Sequence, residues 1–183
     1  MNYYGGNGYG DRYGEKHKVF VSFYHRDDQR YKDYIDTHFR DFIVNKSVMD
    51  GEYDPDDSDE YIKRLIREDK VSDSSVVVVL IGPHTKERKH VDWEIYAGLR
   101  ASINGNSGLL GILLPEFPLH DNKYNYSDIP ARLADNVESG YANIYTWDYA
   151  IANFNTIINT AYDKRVSKRN LIDNSRLQKK YNR

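Results

Sequence analysis

Residues Ser75-Val76-Val77-Val78-Val79-Leu80-Ile81 form an apolar run that Gly82-Pro83 stops. After Ser75 no position offers a polar side chain to water. The segment therefore predicts a strand covered on both faces, as in a parallel sheet flanked by helices. Leu109 to Leu114 (LLGILL) repeats the pattern and ends at Pro115, giving a second buried strand. Upstream, Val19-Phe20-Val21-Ser22-Phe23 is shorter, β-branched and aromatic, and predicts a third. Weaker strand signals stand at Ser47 to Met49 and at Tyr141 to Trp147.

The stretches between these runs read as helices. Tyr31, Tyr34, Ile35, His38, Phe39, Phe42 and Ile43 recur at steps of three and four, with Asp27 or Asp28 placed at the start to meet the free N–H groups. Asp57 or Ser58 can cap a second helix carrying Tyr61/Leu65 and Ile62/Ile66. A third runs from Lys89 to Ile103 and stops at the turn residues Asn104 to Gly108. A short helix is expected near Ala131, and Ala150, Ile151, Phe154, Ile157, Ile158 and Ala161 mark a final one. Strands alternating with helices predict an α/β fold of three layers, α/β/α, around a mainly parallel sheet. The loops after the strand C-termini then share one edge, where such folds bind ligands. That edge carries Tyr24 to Asp28, Asp50 to Asp59, Gly82 to His90 and the chain from Pro115 onward.

The chain has 183 residues, enough for one domain with tails. Residues 1–17 are rich in Gly and Tyr without periodicity and are expected to form a disordered tail; residues 18–163 form the domain. Residues 164–183 hold eight basic side chains and one acid, Asp173, and are read as a basic solvated helix or tail. The net charge of −2 argues against nucleic acid as the partner, and zero cysteines exclude disulfides, Cys-ligated zinc and thiol catalysis. No stretch has the apolar length of a membrane span, and the polar N-terminus does not resemble a secretory signal, so a cytoplasmic protein is expected.

Several chemistries fail on residue types. The acidic stretch Asp50 to Glu60 places Pro55 and Tyr61 where a calcium loop needs glycine and glutamate. A phosphorelay receiver would use Asp27 and Asp28 but also needs an aspartate after the central strand, where Gly82-Pro83-His84 stands. Neither glycine-rich phosphate-binding loop occurs, Ser22 lacks the glycines of a nucleophile elbow, and the histidines have no metal-ligand spacing, so no metal is expected. What remains is the third helix. Val91, Ile95, Gly98 and Ser102 form its inward stripe, and Glu94 borders that stripe among the small residues Ala97, Gly98 and Ala101. A carboxylate near the ligand edge with free volume beside it is a candidate reactive group. On pattern alone, a boundary glutamate of this kind is more often half of a salt bridge.

Lys18 to Asp28 (KVFVSFYHRDD) resembles the opening of TIR-like domains. Asp59 to Ile66 (DEYIKRLI), Ser74 to Gly82 (SSVVVVLIG), Thr85 and Val91-Asp92-Trp93-Glu94-Ile95 are similar, in order and spacing, to the ThsB group of the Thoeris antiphage system. The similarity covers roughly Lys18 to Pro115. It implies a flavodoxin-like TIR fold and an enzyme that cleaves the nicotinamide–ribose bond of NAD, taken as substrate and not as cofactor. The product implied is a cyclic ADP-ribose-type signal in antiviral defence. The family's catalytic glutamate falls on Glu94. Many TIR enzymes carry Trp four residues before it; here His90 stands there and Trp93 directly precedes Glu94, which makes both candidates for the substrate side. Phe23 and Tyr24, at the end of the first strand, either stack on a flat ring or take core or rim roles, and His25 and Arg26 are placed to meet the diphosphate. A phage-derived activator and self-association are expected partners. The rival readings are a non-catalytic TIR-like adaptor, acting by protein–protein interaction, and an anion binder using the basic C-terminus.

Overall fold

A computed structural model describes residues 16–41, 43–45, 58, 60–61, 71–100 and 105–182. Five strands form one all-parallel sheet: β1 His17–Ser22, β2 Ile43–Asn45, β3 Val76–Ile81, β4 Gly108–Leu113 and β5 Asn143–Thr146. Their order across the sheet is β2-β1-β3-β4-β5, the flavodoxin-like arrangement. Register runs Val19↔Val76 and Ser22↔Val79 between β1 and β3, and Val76↔Gly108 and Ile81↔Leu113 between β3 and β4.

All six residues of β3 are buried, as are all six of β4. Successive side chains of a strand point to opposite faces, so β3 feeds two cores at once. Val76, Val78 and Leu80 join Val19, Val21, Ile35, Ile112, Phe154, Ile157 and Ile158 on one side. Val77, Val79 and Ile81 join Phe20, Val91, Trp93, Ile95, Leu109 and Leu133 on the other. The covering helices are α1 His25–His38 with α4 Trp147–Ala152 and α5 Phe154–Ser167 on the first face, and α2 Lys89–Leu99 with α3 Ala131–Glu138 on the second. The expected three-layer architecture is thereby observed. None of the described helices is long and apolar enough to cross a membrane.

Several boundaries differ from the sequence reading for local reasons. His17, placed in the tail, opens β1 and pairs with Ile43 of β2. Ile43 itself was assigned to the first helix, but that helix ends at His38 and the backbone N–H of Ile43 returns to the carbonyl of Phe39 before the strand. The strand expected at Ser47 to Met49, most of the acidic stretch and all but the start of the second helix lie outside the described residues; Ser58 Oγ does accept the N–H of Tyr61 at 3.3 Å. The third helix stops at Leu99, because Arg100 is extended. The final helix is two, broken at Asn153, and the second of them continues to Ser167. Beyond it the basic terminus is not simply solvated: a 3-10 turn at Arg169–Leu171 is followed by an extended return that runs back along α2.

Candidate functional site

In this strand order, neighbours β1 and β3 lead their chains away in opposite directions, and a crevice opens beyond their C-terminal ends. β1 delivers Ser22 at that edge, followed by Phe23 and Tyr24, and α1 starts at once with His25. Asp28 does not serve as its outer cap. It is buried against Gly82 at the end of β3, where an added Cβ would stand 2.5 Å from Asp28 Oδ1, so a larger residue would push the carboxyl out of its place. Thr85 Oγ1–H donates to Asp28 Oδ2 at 3.2 Å and accepts the N–H of Gly82 at 2.9 Å. Burial pushes the Asp28 carboxyl up to about 6, with the Thr85 bond pulling it back down.

The 3-10 turn Thr85–Glu87 and Arg88 lead into α2, whose first turns press Val91 and Glu94 against the sheet. Close approach is possible because Gly98 sits over β3; a Cβ there would come within 2.6 Å of Val77 Cγ2. Glu94 is 4% exposed, and its Oε2 accepts the Ser22 hydroxyl at 2.5 Å. Burial without a cationic partner pushes this carboxyl up to about 8, against the lowering effect of the Ser22 bond. At neutral pH it is therefore mostly protonated. Among the described residues Glu94 has no salt-bridge partner; its hydrogen-bond partner is the Ser22 hydroxyl.

Glu94 faces a cavity of about 200 Å³. Phe23, Tyr24 and His25 form the wall from β1; Arg88, His90 and Val91 form the wall from the β3–α2 connection; Asn182 closes the circle from the C-terminal return. The Phe23 and His25 rings lie 4.1 Å apart, and the Arg88 guanidinium sits 4.1 Å over the Tyr24 ring. This volume suits one flat ring with its sugar, not a whole dinucleotide, and lies below the usual ligand pocket. A second hollow, of about 260 Å³, lies at the opposite edge between Lys16, Lys18, Ser75, Tyr162 and Arg165. Its Lys18 is paired with Asp73 and its Arg165 packs on Tyr162, and no buried acid faces it.

Of the residues singled out in the sequence, Phe23, Tyr24, His25, His90 and Glu94 meet around one cavity. Arg26 and Trp93 do not. Arg26 is exposed on α1 outside the cavity. Trp93 is 1% exposed in the core, and its indole N–H donates to the carbonyl of Lys179 at 2.8 Å. Arg88, Val91 and Asn182 were not assigned to the site. Arg88 falls within Gly82 to His90, the stretch that the sequence placed on the ligand edge, and that placement was a usable signal; Asn182 carried none.

The C-terminal return is fixed by the same helix turn that carries Glu94. Asp92 Oδ2 accepts the Lys179 N–H at 2.7 Å, while Oδ1 accepts Arg132 Nε at 2.9 Å from a fully buried guanidinium. Arg132 also reaches Asn174 Oδ1 at 2.9 Å, and Lys179 Nζ donates to the Lys86 carbonyl at 2.6 Å. Asn182 Oδ1 then accepts the N–H of Lys89, the first residue of α2, at 2.8 Å.

The sequence model of the family described as "Thoeris protein ThsB, TIR-like domain" matches residues 20–117, just over half of the chain. The matched segment contains every cavity residue except Asn182. No curated protein matches the chain.

Proposed function

Since the chain belongs to the TIR-like domain family of the Thoeris protein ThsB, we propose that it is an NAD-processing enzyme of antiphage defence that breaks the nicotinamide–ribose bond. The observation that carries this reading is Glu94, an acid buried to 4% exposure without a cationic partner, facing an aromatic-walled cavity at the switch point of the sheet.

Nicotinamide in NAD is a pyridinium, the permanent positive charge that such a carboxyl lacks. Bringing it beside Glu94 in a low-dielectric cavity favours the ionised carboxylate, so substrate binding and deprotonation support each other. When the bond between ring nitrogen and C1′ breaks, the electron pair stays with nitrogen and neutral nicotinamide leaves. Positive charge moves to the ribosyl centre, and the Glu94 carboxylate stabilises that oxocarbenium-like species, as carboxylates do in glycosidases. Ser22 holds one carboxylate oxygen and fixes its direction. Capture of C1′ by a nucleophile of the same molecule, which then loses its proton, gives a cyclic ADP-ribose-type product; capture by water gives ADP-ribose. Phe23 and His25, packed on each other, form an aromatic wall of the cavity against which the base can lie. A phage-derived activator is the proposed trigger and self-association a proposed route to it.

The test incubates the protein with NAD, alone and with lysate of phage-infected cells, and follows nicotinamide by chromatography. Wild type releases nicotinamide under activation, and Glu94→Gln is slower by about 10²–10³-fold, the usual cost of removing one transition-state stabiliser. Equal rates in the two proteins would dismiss the role of Glu94. No release from activated wild type would leave the adaptor reading in its place.

A further inference from the structure

Resting on that reading, we infer that Asn182, delivered by the C-terminal return, is a positioning residue of the substrate site that holds the diphosphate together with Arg88. Three observations converge on it. First, the return is not loosely laid on the surface. Both backbone groups of Lys179 are engaged by consecutive side chains of α2, its N–H by Asp92 at 2.7 Å and its carbonyl by Trp93 at 2.8 Å. Asp92 is itself locked by the buried Arg132, so residue 179 is held by groups that are 6% exposed or less. The Asp92-Trp93 pair immediately before Glu94 therefore carries a purpose the sequence did not reveal: it fixes the distant end of the chain beside the reactive carboxyl.

Second, Asn182 lies three residues past this clamp and lines the Glu94 cavity. Its Oδ1 is committed to the Lys89 N–H, which sets the plane of the amide at the start of α2. The donors this side chain has to offer a ligand are then the two amide N–H groups, and donors suit an oxygen-rich group. Third, the cavity has a depth order. Glu94 is buried while Asn182 is exposed, and on the same rim the Arg88 guanidinium is held over Tyr24 by Nε donating to the His84 carbonyl at 3.2 Å and Nη2 to Glu87 Oε2 at 2.9 Å, so its Nη1 is the nitrogen that turns to a ligand. A ring and its sugar fill about 200 Å³ beside Glu94, so the remainder of a dinucleotide must leave over this rim. The group attached to that ribose is the diphosphate, and a guanidinium with an amide N–H pair is suited to its oxygens.

The test is calorimetric binding of ADP-ribose and, separately, nicotinamide to the full chain, which needs neither turnover nor a trigger. Asn182→Ala and Arg88→Ala are expected to weaken ADP-ribose roughly tenfold each, the ordinary worth of a hydrogen bond to a charged group, and to leave nicotinamide unchanged. Lys179→Pro removes the N–H held by Asp92 and should reproduce the Asn182→Ala loss; Lys179→Ala, which keeps that N–H and gives up only the Nζ bond to the Lys86 carbonyl, should lose less. In activated protein, Asn182→Ala should raise KM for NAD with kcat kept. Wild-type binding of ADP-ribose that Asn182→Ala matches overturns the inference and leaves the NAD reading standing. Tighter binding or faster turnover in Asn182→Ala also overturns it, because the residue would then be a plug. A wild type that binds neither ADP-ribose nor NAD sinks the functional reading itself.

Discussion

A carboxyl whose acid form is favoured by folding must leave its mark on stability, and replacing Glu94 by glutamine isolates that mark. Glutamine keeps the volume and an oxygen for the Ser22 hydroxyl, and removes only the ionisation. The folded carboxyl titrates near 8 and the unfolded one near 4.5. Below pH 4.5 both states hold the proton and the wild type has its full stability. As pH rises the unfolded state ionises first, so stability falls by about 1.4 kcal/mol per unit until the folded group also ionises near pH 8. Integrated from pH 5 to pH 8, wild type should lose roughly 3–4 kcal/mol more than Glu94→Gln. Asp28 is raised in the same direction, but it is present in both proteins and cancels in the difference. Urea unfolding at pH 5, 6, 7 and 8, with the two midpoints compared at each pH, reads this directly. Parallel curves would mean that Glu94 is solvated in the folded protein, and the argument for a pyridinium partner would lose its basis.

Two further outcomes follow from the same geometry. Binding of a carbocyclic NAD analogue, which keeps the pyridinium and cannot release it, should tighten with pH by about tenfold per unit at most below pH 8 and then level off, while Glu94→Gln stays flatter. Identical pH profiles for the two proteins would remove Glu94 as the source of the pH dependence. Arg132→Met strands Asp92 in the interior with the Lys179 N–H alone, and a loss of about 3–5 kcal/mol is expected in thermal or urea unfolding. A loss under about 1 kcal/mol would show that the Asp92–Arg132 pair is dispensable.

The parts of this fold legible in the sequence were those with long-lived periodicity. Val76 to Ile81 and Leu109 to Leu113 are buried on both faces and could hardly read otherwise. β2 has three residues, too few to show a period, and its Ile43 fell in phase with the preceding helix by accident of spacing. Of the site, the cluster at the edge was readable because Phe23 to His25 follow one strand and His90 to Glu94 follow another. Trp93 was read as a substrate-side residue from its place beside Glu94, whereas its ring is buried in the core and its N–H donates to a carbonyl 86 positions away. The return was invisible for the same reason. Arg132, Asn174, Lys179 and Asn182 are polar residues in a basic, apparently surface-like context, and contacts across 40 to 93 positions leave no local pattern.

The cavity draws seven of its eight residues from a stretch of chain that ends before β4, and the eighth from the far terminus. The walls around the acid are thus close in sequence, whereas one part of the rim is brought in from a remote stretch of the same polypeptide. A change in the last residues of the chain can reshape that rim while the buried acid and the rings beside it keep their places.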